Sequence, residues 1–359
     1  MGILKLNMLM NMERQRRRRQ IQARNGSIDS RAKIKGSPSQ HAAPAQTKGY
    51  SCPNLPEDIW NHIHSQMLMQ DAAKVACVSR AFARSWRCHP NLTFSEESLG
   101  LNKSKCSKED KMKEFTRRVD WILKNHAGIG VKKLKISIGA IYNQLSLAGS
   151  LQIKKLHMSS NDAAFYILTK LPSSMPNLES LVIHSDTEMI NAPMVLSKFY
   201  NLKFLGIALG GLNYDYLSLV SFFDASPSLE TFILNVRPGR MEHPSIFADA
   251  SSLRMMPEHC HDKLKRVEII NFSSAKSLVE LTSHIIESTT SLELLTLDTT
   301  QGLPRCSVNK SGKCFLLRRE ALKEASRALL AVQTYIKSKV PSTVKLNVLE
   351  PCSRCHADQ

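Results

Sequence analysis

The chain lacks an apolar run of the length a membrane span requires. About 20 consecutive apolar residues are needed for one, and polar residues interrupt every run in these 359 positions well before that. The start is not expected to act as a secretory leader, because its apolar residues precede the arginines instead of following them. Nor does it read as a myristoylation signal, since Leu6 stands where Ser or Thr is wanted. The nine cysteines keep no disulfide rhythm, which points to a reducing compartment. Paired carboxylates, a nucleophile elbow, a phosphate loop and a metalloprotease helix are all missing. Gly210-Gly211 and Ser311-Gly312-Lys313 are loop glycines without a phosphate-binding frame. Together these absences argue against a membrane protein, a disulfide scaffold and an enzyme. The chain is expected to be non-catalytic and to need no cofactor.

Positive charge is abundant instead. The net charge is +18, and residues 1–50 hold 11 Lys and Arg against two acids, which is half of that excess. Within this arm Arg14, Arg16, Arg17, Arg18 and Arg19 form a dense run, followed by Arg31, Lys33 and Lys35. Like charges at that density repel and extend a segment, so residues 1–49 are expected to be a disordered basic arm. The arginine run reads as a nuclear import signal, as a solvated tail, or as part of a transit peptide.

From Leu55 to Trp86 the pattern turns helical. Leu55-Pro56 opens a helix where proline is best tolerated, and Glu57 and Asp58 place carboxylates at its positive end. Ile59, Ile63 and Met67 recur four apart on one face. Asp71 reads as the N-cap of a second helix carrying Val75, Val78 and Phe82. Some 35 residues cannot enclose a confident core of their own, so such a unit completes itself against a partner. Residues 88–110 then read as a connector, and Lys111–Asn125 as a helix with Phe115, Val119, Ile122 and Leu123 on one face and Gly128 as its stop.

The remainder is a repeat. VKKLKISI, LQIKKLHM, PNLESLVI, YNLKFLGI, PSLETFIL, DKLKRVEI and TSLELLTL share an apolar-x-x-apolar-x-apolar frame, centred on Leu134, Leu156, Leu181, Leu205, Phe232, Val267 and Leu295. Their spacings are 22, 25, 24, 27, 35 and 28, the long one spanning a Pro/His-rich insertion from Arg237 to Cys260. The last two apolar residues of each motif lie two apart and so face one side of a strand. Helical patterns between motifs, such as Leu278 through Ile286, predict strand–helix units stacked into a solenoid with a parallel concave sheet. A doubly wound α/β sheet would not repeat the strand motif this regularly. Arg318–Ser338 reads as a capping helix with Leu322, Ala325, Leu329, Val332 and Ile336 on one face, and TVKLNVL as a final edge strand.

Leu55-Pro56-Glu57-Asp58-Ile59, Ile63, Met67 and Val78-Ser79-Arg80 with Phe82 resemble the F-box. Leu68 stands where many F-boxes carry a second proline, and Ala72-Ala73 replace bulkier residues. With the repeats behind it, and with Phe94–Gly100, Phe115–Lys135 and Ala275–Cys355, the chain resembles the plant, grass-type F-box/leucine-rich-repeat proteins. Between Ile138 and Leu151 it is shorter than such arrays. The resemblance implies an α/β fold: a small helical F-box (50–94), a linker (95–110), a curved leucine-rich-repeat solenoid with helical caps (111–350) and a Cys-containing tail (351–359), after the disordered arm. It also implies a substrate-recognition subunit of an SCF-type (Skp–cullin–F-box) ubiquitin ligase. Leu55, Pro56, Ile59, Ile63, Met67, Val75, Val78, Ser79 and Phe82 would then contact a Skp-type adaptor and, through it, a cullin, and the solenoid would hold a target protein.

Positions flanking the inward pairs face out, which nominates Lys135, Ser137, His157, Ser159, His184, Asn235, Glu268 and Asp298 as target-facing residues. Nucleus and cytoplasm are the expected compartments, and neither membrane nor nucleic acid is an expected partner. Two other readings stay open: an interaction protein outside any ligase, and a nucleic-acid-associated protein using the basic arm. Cys352-Ser353-Arg354-Cys355-His356 is a C-x-x-C-H string, but no second axial ligand for haem is evident. Cys306, Cys314, Cys352, Cys355 and His356 could converge on a tetrahedral zinc, yet their spacing is that of no known finger. The expectation is free thiols and no metal.

Overall fold

The computed structural model describes residues 56–78, 80–101, 107–126, 131–137, 152–160, 163–185, 197–210, 214–237, 244–248, 252–254, 256, 260–303, 306 and 314–356. The basic arm with Arg14 and Arg16–Arg19, Leu55, Ser79, the 138–151 segment, Gly128 and much of the 237–260 insertion lie outside them. The chain divides into two units between His89 and Pro90.

Among its described residues the first unit holds three short helices, α1 (Glu57–Gln66), α2 (Met69–Val75) and α3 (Arg80–Trp86). Pro56 precedes α1, and Glu57 and Asp58 sit in its first turn, as proline and dipole chemistry dictate. The second helix starts earlier than the sequence implied. Its N-cap is Leu68, and Asp71 lies inside the first turn, paired with Lys74 at 2.6 Å. Trp60 meets Phe82 edge-on at 4.6 Å, and His64, buried beneath them, bonds to Ser85. Burial lowers the His64 pKa, its bond to the Trp60 backbone opposes this, and His89 lowers it further, which favours the neutral imidazole in this small core.

The described residues of the second unit form a nine-stranded, all-parallel sheet in strict chain order. Its strands are β1 (Asn91–Ser95), β2 (Lys133–Ser137), β3 (Lys155–Ser159), β4 (Ser180–Ser185), β5 (Phe204–Leu209), β6 (Thr231–Val236), β7 (Arg266–Ile270), β8 (Leu294–Asp298) and β9 (Lys345–Leu349). Strand–helix repetition with no crossover is the solenoid arrangement of leucine-rich repeats. The register aligns every motif centre: Leu134, Leu156, Leu181, Leu205, Phe232, Val267 and Leu295 form one continuous row. That row is buried along its whole length, as is the second inward row from Phe94 through Ile136, Met158, Ile183, Ile207, Leu234 and Ile269 to Leu297.

The repeat begins one strand before the sequence motifs show. Asn91–Ser95 was expected to be part of a connector, but Leu92 and Phe94 are buried and paired with Leu134 and Ile136. The boundary at residue 94 and the linker from residue 95 are corrected accordingly. After β1, Ser95 and Ser98 form a reciprocal capping box around α4 (Glu96–Leu99), which Gly100 closes at φ 70.

Helix α5 (Lys108–Asn125) starts three residues before the predicted Lys111, because the Ser107 hydroxyl accepts from the Asp110 amide at 3.1 Å. Its predicted apolar face is buried. Helices α6 (Ala164–Thr169), α7 (Leu171–Ser174) and α8 (Val220–Asp224) back the middle strands, and α9 (Lys276–Ser288) is enclosed on nearly every side.

The C-terminal cap is less regular than expected. Helix α10 (Arg319–Ala331) gives way to a π turn over Val332–Ile336 and a 3-10 turn over Lys337–Lys339. The widened turn buries Ala325, Ala328, Ala331, Val332 and Ile336, whereas the predicted Leu322 and Leu329 are only half-buried.

Between repeats, Lys154, Glu179, Lys203, Glu230, Lys265 and Glu293 each follow the first apolar residue of a motif and alternate in sign. Salt bridges join Lys154 to Glu179 at 2.7 Å, Lys203 to Glu230 at 3.8 Å and Lys265 to Glu293 at 3.6 Å. Each exposed rung contributes about 0–1 kcal/mol. Of the asparagine ladder usual after such strands, Asn271 survives: at φ 62, its side chain donates to the Val236 carbonyl at 2.7 Å.

Candidate interaction surfaces

Strand alternation leaves three rows of side chains on the outer face of the sheet. One runs Thr93, Lys135, His157, Val182, Gly206, Ile233, Glu268, Thr296 and Asn347, and a neighbouring row runs Ser95, Ser137, Ser159, His184, Ala208, Asn235, Ile270, Asp298 and Leu349. All eight nominated residues therefore lie on this face by register, but they do not share its exposure. Lys135 is exposed, and Ser137, His157, Ser159, His184, Asn235 and Glu268 are half-buried.

Asp298 is the correction. It is 5% exposed, and its carboxylate accepts from the Thr300 amide and hydroxyl at 2.6 Å each and from the Gly302 amide at 3.2 Å. Gly302, at φ 66, lies so close to Ile270 that an added Cβ would stand 3.0 Å from that side chain. The turn after β8 thus folds over the end of the outer face, and Asp298 serves as its anchor and not as a docking residue.

The opposite end of this face is basic. Lys133, Lys135 and Lys155 are exposed on β2 and β3, and the outer positions of β1 to β3 carry no acid. Next to them the His157 and His184 rings stack at 4.7 Å, 8° from parallel. Arg237 donates to Nδ1 of His184 at 3.1 Å, so that nitrogen carries no proton. Burial, then the neighbouring His184, Lys135 and Lys133, hold the His157 pKa down to about 4. A partner at neutral pH would therefore meet lysine charges beside an uncharged imidazole at His157. Further along, the Phe204 ring lies 3.3 Å from where a Cβ on Gly206 would be, so the missing side chain leaves room for an aromatic beside it.

On the helical unit, Pro56 is exposed, as are Ile59 (42%), Ile63 (39%), Leu68 (74%) and Val78 (79%). Met67, Val75 and Phe82 are half-buried, and Phe82 forms part of the unit's own aromatic cluster. Of the predicted contact set, Pro56, Ile59, Ile63 and Val78 are thus exposed and Met67, Val75 and Phe82 half-buried, while Leu68 lies outside that set.

Sequence reasoning missed one buried ionic site. Glu280 on α9 has no exposed side-chain surface. Arg254, from the long insertion, donates to it from its backbone amide and Nε at 2.9 Å each and from Nη2 at 2.5 Å. The same guanidinium reaches Asp215 at 2.8 and 2.9 Å, and this bond lowers the Asp215 pKa. A cavity of about 300 Å³ opens beside the pair, lined also by Met256, His284 and Lys339. A carboxylate on the apolar face of a predicted helix was the available signal, since a buried acid requires a paired cation.

Four cysteines converge at the far end. The sulfurs of Cys306, Cys314, Cys352 and Cys355 all lie within 4.8 Å of one another. His356, the fifth candidate, is not among them: its Nε2 accepts from the Leu317 amide at 3.3 Å and its Nδ1 faces the Cys352 carbonyl at 3.0 Å. Backbone bonds from Cys355 and Arg354 bring the Cys352 thiol down to about 7 against the opposing effect of burial.

No helix among the described residues is long and apolar enough to cross a membrane. The fold resembles a non-catalytic leucine-rich-repeat solenoid, a module for protein–protein interaction. No curated protein matches the chain. The family described as At1g61320/AtMIF1, LRR domain, matches residues 139–353, more than half of the sequence and all of the sheet from β3 onward. The frame of two inward apolar residues per strand, held in register through that span, is the structural counterpart of this match: the chain belongs to the At1g61320/AtMIF1 leucine-rich-repeat domain family.

Proposed function

We propose that the chain is a substrate-recognition subunit of an SCF-type ubiquitin ligase, with residues 56–89 acting as an F-box and the solenoid holding the target. The observation that carries this reading is the exposed apolar group Ile59, Ile63, Leu68 and Val78 on a unit of three short helices. Ile59 and Ile63 are neighbours on one helix face, and exposed apolar surface of this kind is retained where a partner covers it. Leu68 adds a second support. It occupies the place of the F-box's second proline, and its φ of −65° is the angle that proline enforces.

In this role the protein lowers no chemical barrier. It raises the effective concentration of a target lysine near a ubiquitin-charged enzyme held elsewhere in the complex. The basic end of the outer face, with Lys133, Lys135 and Lys155, favours a target with an acidic patch, whose binding weakens as salt rises. Nucleus and cytoplasm are the compartments proposed, and a fluorescent fusion with and without Arg14–Arg19 tests the contribution of that run.

The deciding experiment is co-purification of the full chain with a Skp-type adaptor, comparing wild type with Ile59→Asp/Ile63→Asp. Wild type should retain adaptor and cullin, and the double variant should lose both while its solenoid stays folded. Absence of a complex with wild type would remove the ligase assignment and leave an interaction module alone.

A further inference from the structure

The C-terminal cysteines lie outside the surfaces assigned above, and their geometry is that of a site. Zinc bonded to four thiolates at about 2.3 Å places its sulfurs at the corners of a tetrahedron with edges of about 3.8 Å. The Cys306 and Cys352 sulfurs stand 3.8 Å apart, and all four sulfurs lie within 4.8 Å of one another. Disulfides would instead gather them into bonded pairs about 2.05 Å apart, and each of these cysteines is a free thiol here.

The backbone around the sulfurs is arranged in the same sense. Cys352 and Cys355 are separated by two residues in a turn closed by bonds from the Cys355 and His356 amides to the Cys352 carbonyl, at 3.2 and 3.1 Å. The Cys306 amide donates to Cys314 Sγ at 3.2 Å. N–H donors directed at sulfur offset the charge that builds up when several thiolates share one cation.

From these facts we infer that Cys306, Cys314, Cys352 and Cys355 form a tetrathiolate zinc site, independent of any ligase role. Its work is structural. The two halves of the cluster are 46 residues apart, one in the segment after β8 and the other in the tail after β9. β9 is the last strand of the sheet, and its inward Leu346 and Val348 are half-buried where their counterparts on every other strand are buried. A metal clip tying the tail back to the preceding repeat closes this open end, as terminal repeats require. His356 bonds to the backbone instead and completes no part of the coordination shell.

The test is the metal content of the full chain, produced with zinc in the medium and purified under reducing conditions, read by mass spectrometry of the elements. About one zinc per chain is expected, as for a structural tetrathiolate site. Exchange with Co²⁺ should give the sulfur-to-cobalt charge-transfer bands and visible absorption of a tetrahedral tetrathiolate. Cys352→Ser and Cys355→Ser should lose the metal and lower Tm, while His356→Gln and Cys260→Ser should keep both. The cobalt spectrum of the unmodified chain stands even where a serine variant fails to fold. Metal-free protein with no thiolate–cobalt band would overturn the proposal. So would a Cys306–Cys352 disulfide that persists through purification under the same reducing conditions, or a cobalt spectrum of mixed nitrogen and sulfur ligation that disappears in His356→Gln.

Discussion

The helical unit and the solenoid follow the same kind of apolar pattern and reach opposite outcomes. In the solenoid, the two inward positions of every strand from β1 to β8 are buried. On the helices, Ile59 and Ile63 are placed four apart as regularly as any repeat, yet they stay exposed together with Leu68 and Val78. The difference is one of scale. A solenoid stacks each repeat on the next and so supplies its own cover, whereas three short helices have too little surface to enclose one another. Periodicity therefore identifies a face, and chain length decides whether the molecule can cover it unaided.

Truncation is the strongest way to break that contrast. Phe232 is fully buried and meets Phe223 edge-on at 4.8 Å. Phe232→Ala should cost about 3–5 kcal/mol in urea unfolding of the full chain. Ile63→Ala should change stability by less than about 1 kcal/mol while weakening adaptor capture. Equal losses of stability from the two variants would mean that the helical face is covered within the folded chain, and the distinction would fail.

A second measurement extends the sealed region to the irregular insertion. Arg254→Ala strands the Glu280 carboxylate in the interior and should cost about 2–3 kcal/mol, less than a fully enclosed pair because the guanidinium is half exposed. Adding Glu280→Met should recover most of that loss, since the penalty comes from the unpaired charge. A double-mutant cycle with no recovery would show that Arg254 acts through packing alone.

A third, smaller effect lies on α5. Bonding to Arg117 holds the Glu114 pKa down to about 2, with burial opposing it and Arg118 assisting. A carboxylate with a depressed folded pKa contributes stability above its ordinary value of 4.5 and loses it as pH falls toward 2. Because these side chains are partly open to water, the contribution is about 1 kcal/mol. Urea midpoints of wild type and Glu114→Gln should differ at pH 7 and converge near pH 2.

How much of this was legible follows from which forces are local. The register row from Leu134 to Leu295 could be read from the sequence because each strand carries its own apolar pair, and α5 because Phe115, Val119 and Ile122 mark a face. β1 was obscured by Pro90-Asn91, which reads as a break although Leu92 and Phe94 alternate correctly behind it. The π turn at Val332 was hidden because its cause is packing at the array's end, and no glycine or proline announces it. Asp298 was misplaced for a related reason: alternation puts it on the outer face, and only the fold of the turn after β8 encloses it. Among the cysteines, type and approximate grouping were visible, but the exclusion of His356 depended on the Leu317 amide reaching its ring.

The smallest expected effect discriminates most sharply between the two regions, because it asks whether the helical unit is built to a template its sequence departs from. Leu68 has φ −65° and ψ 141°, and Met67 before it has φ −88° and ψ 154°. Those are the angles that proline and the residue preceding it adopt without strain. The Leu68 side chain, 74% exposed, has little packing to lose. Leu68→Pro should therefore stabilise the unit by about 0.4–1 kcal/mol by restricting the unfolded chain, read as slower amide exchange in α1 and α2. Adaptor capture should persist, since Ile59, Ile63 and Val78 are untouched. A proline placed inside a strand such as β6 would instead remove a sheet hydrogen bond and destabilise the array, so the same substitution should have opposite signs in the two units. Loss of α2 in the Leu68→Pro chain would mean that the bend between α1 and α2 is not held in this conformation, and the argument from Leu68 for the proposed F-box would go with it.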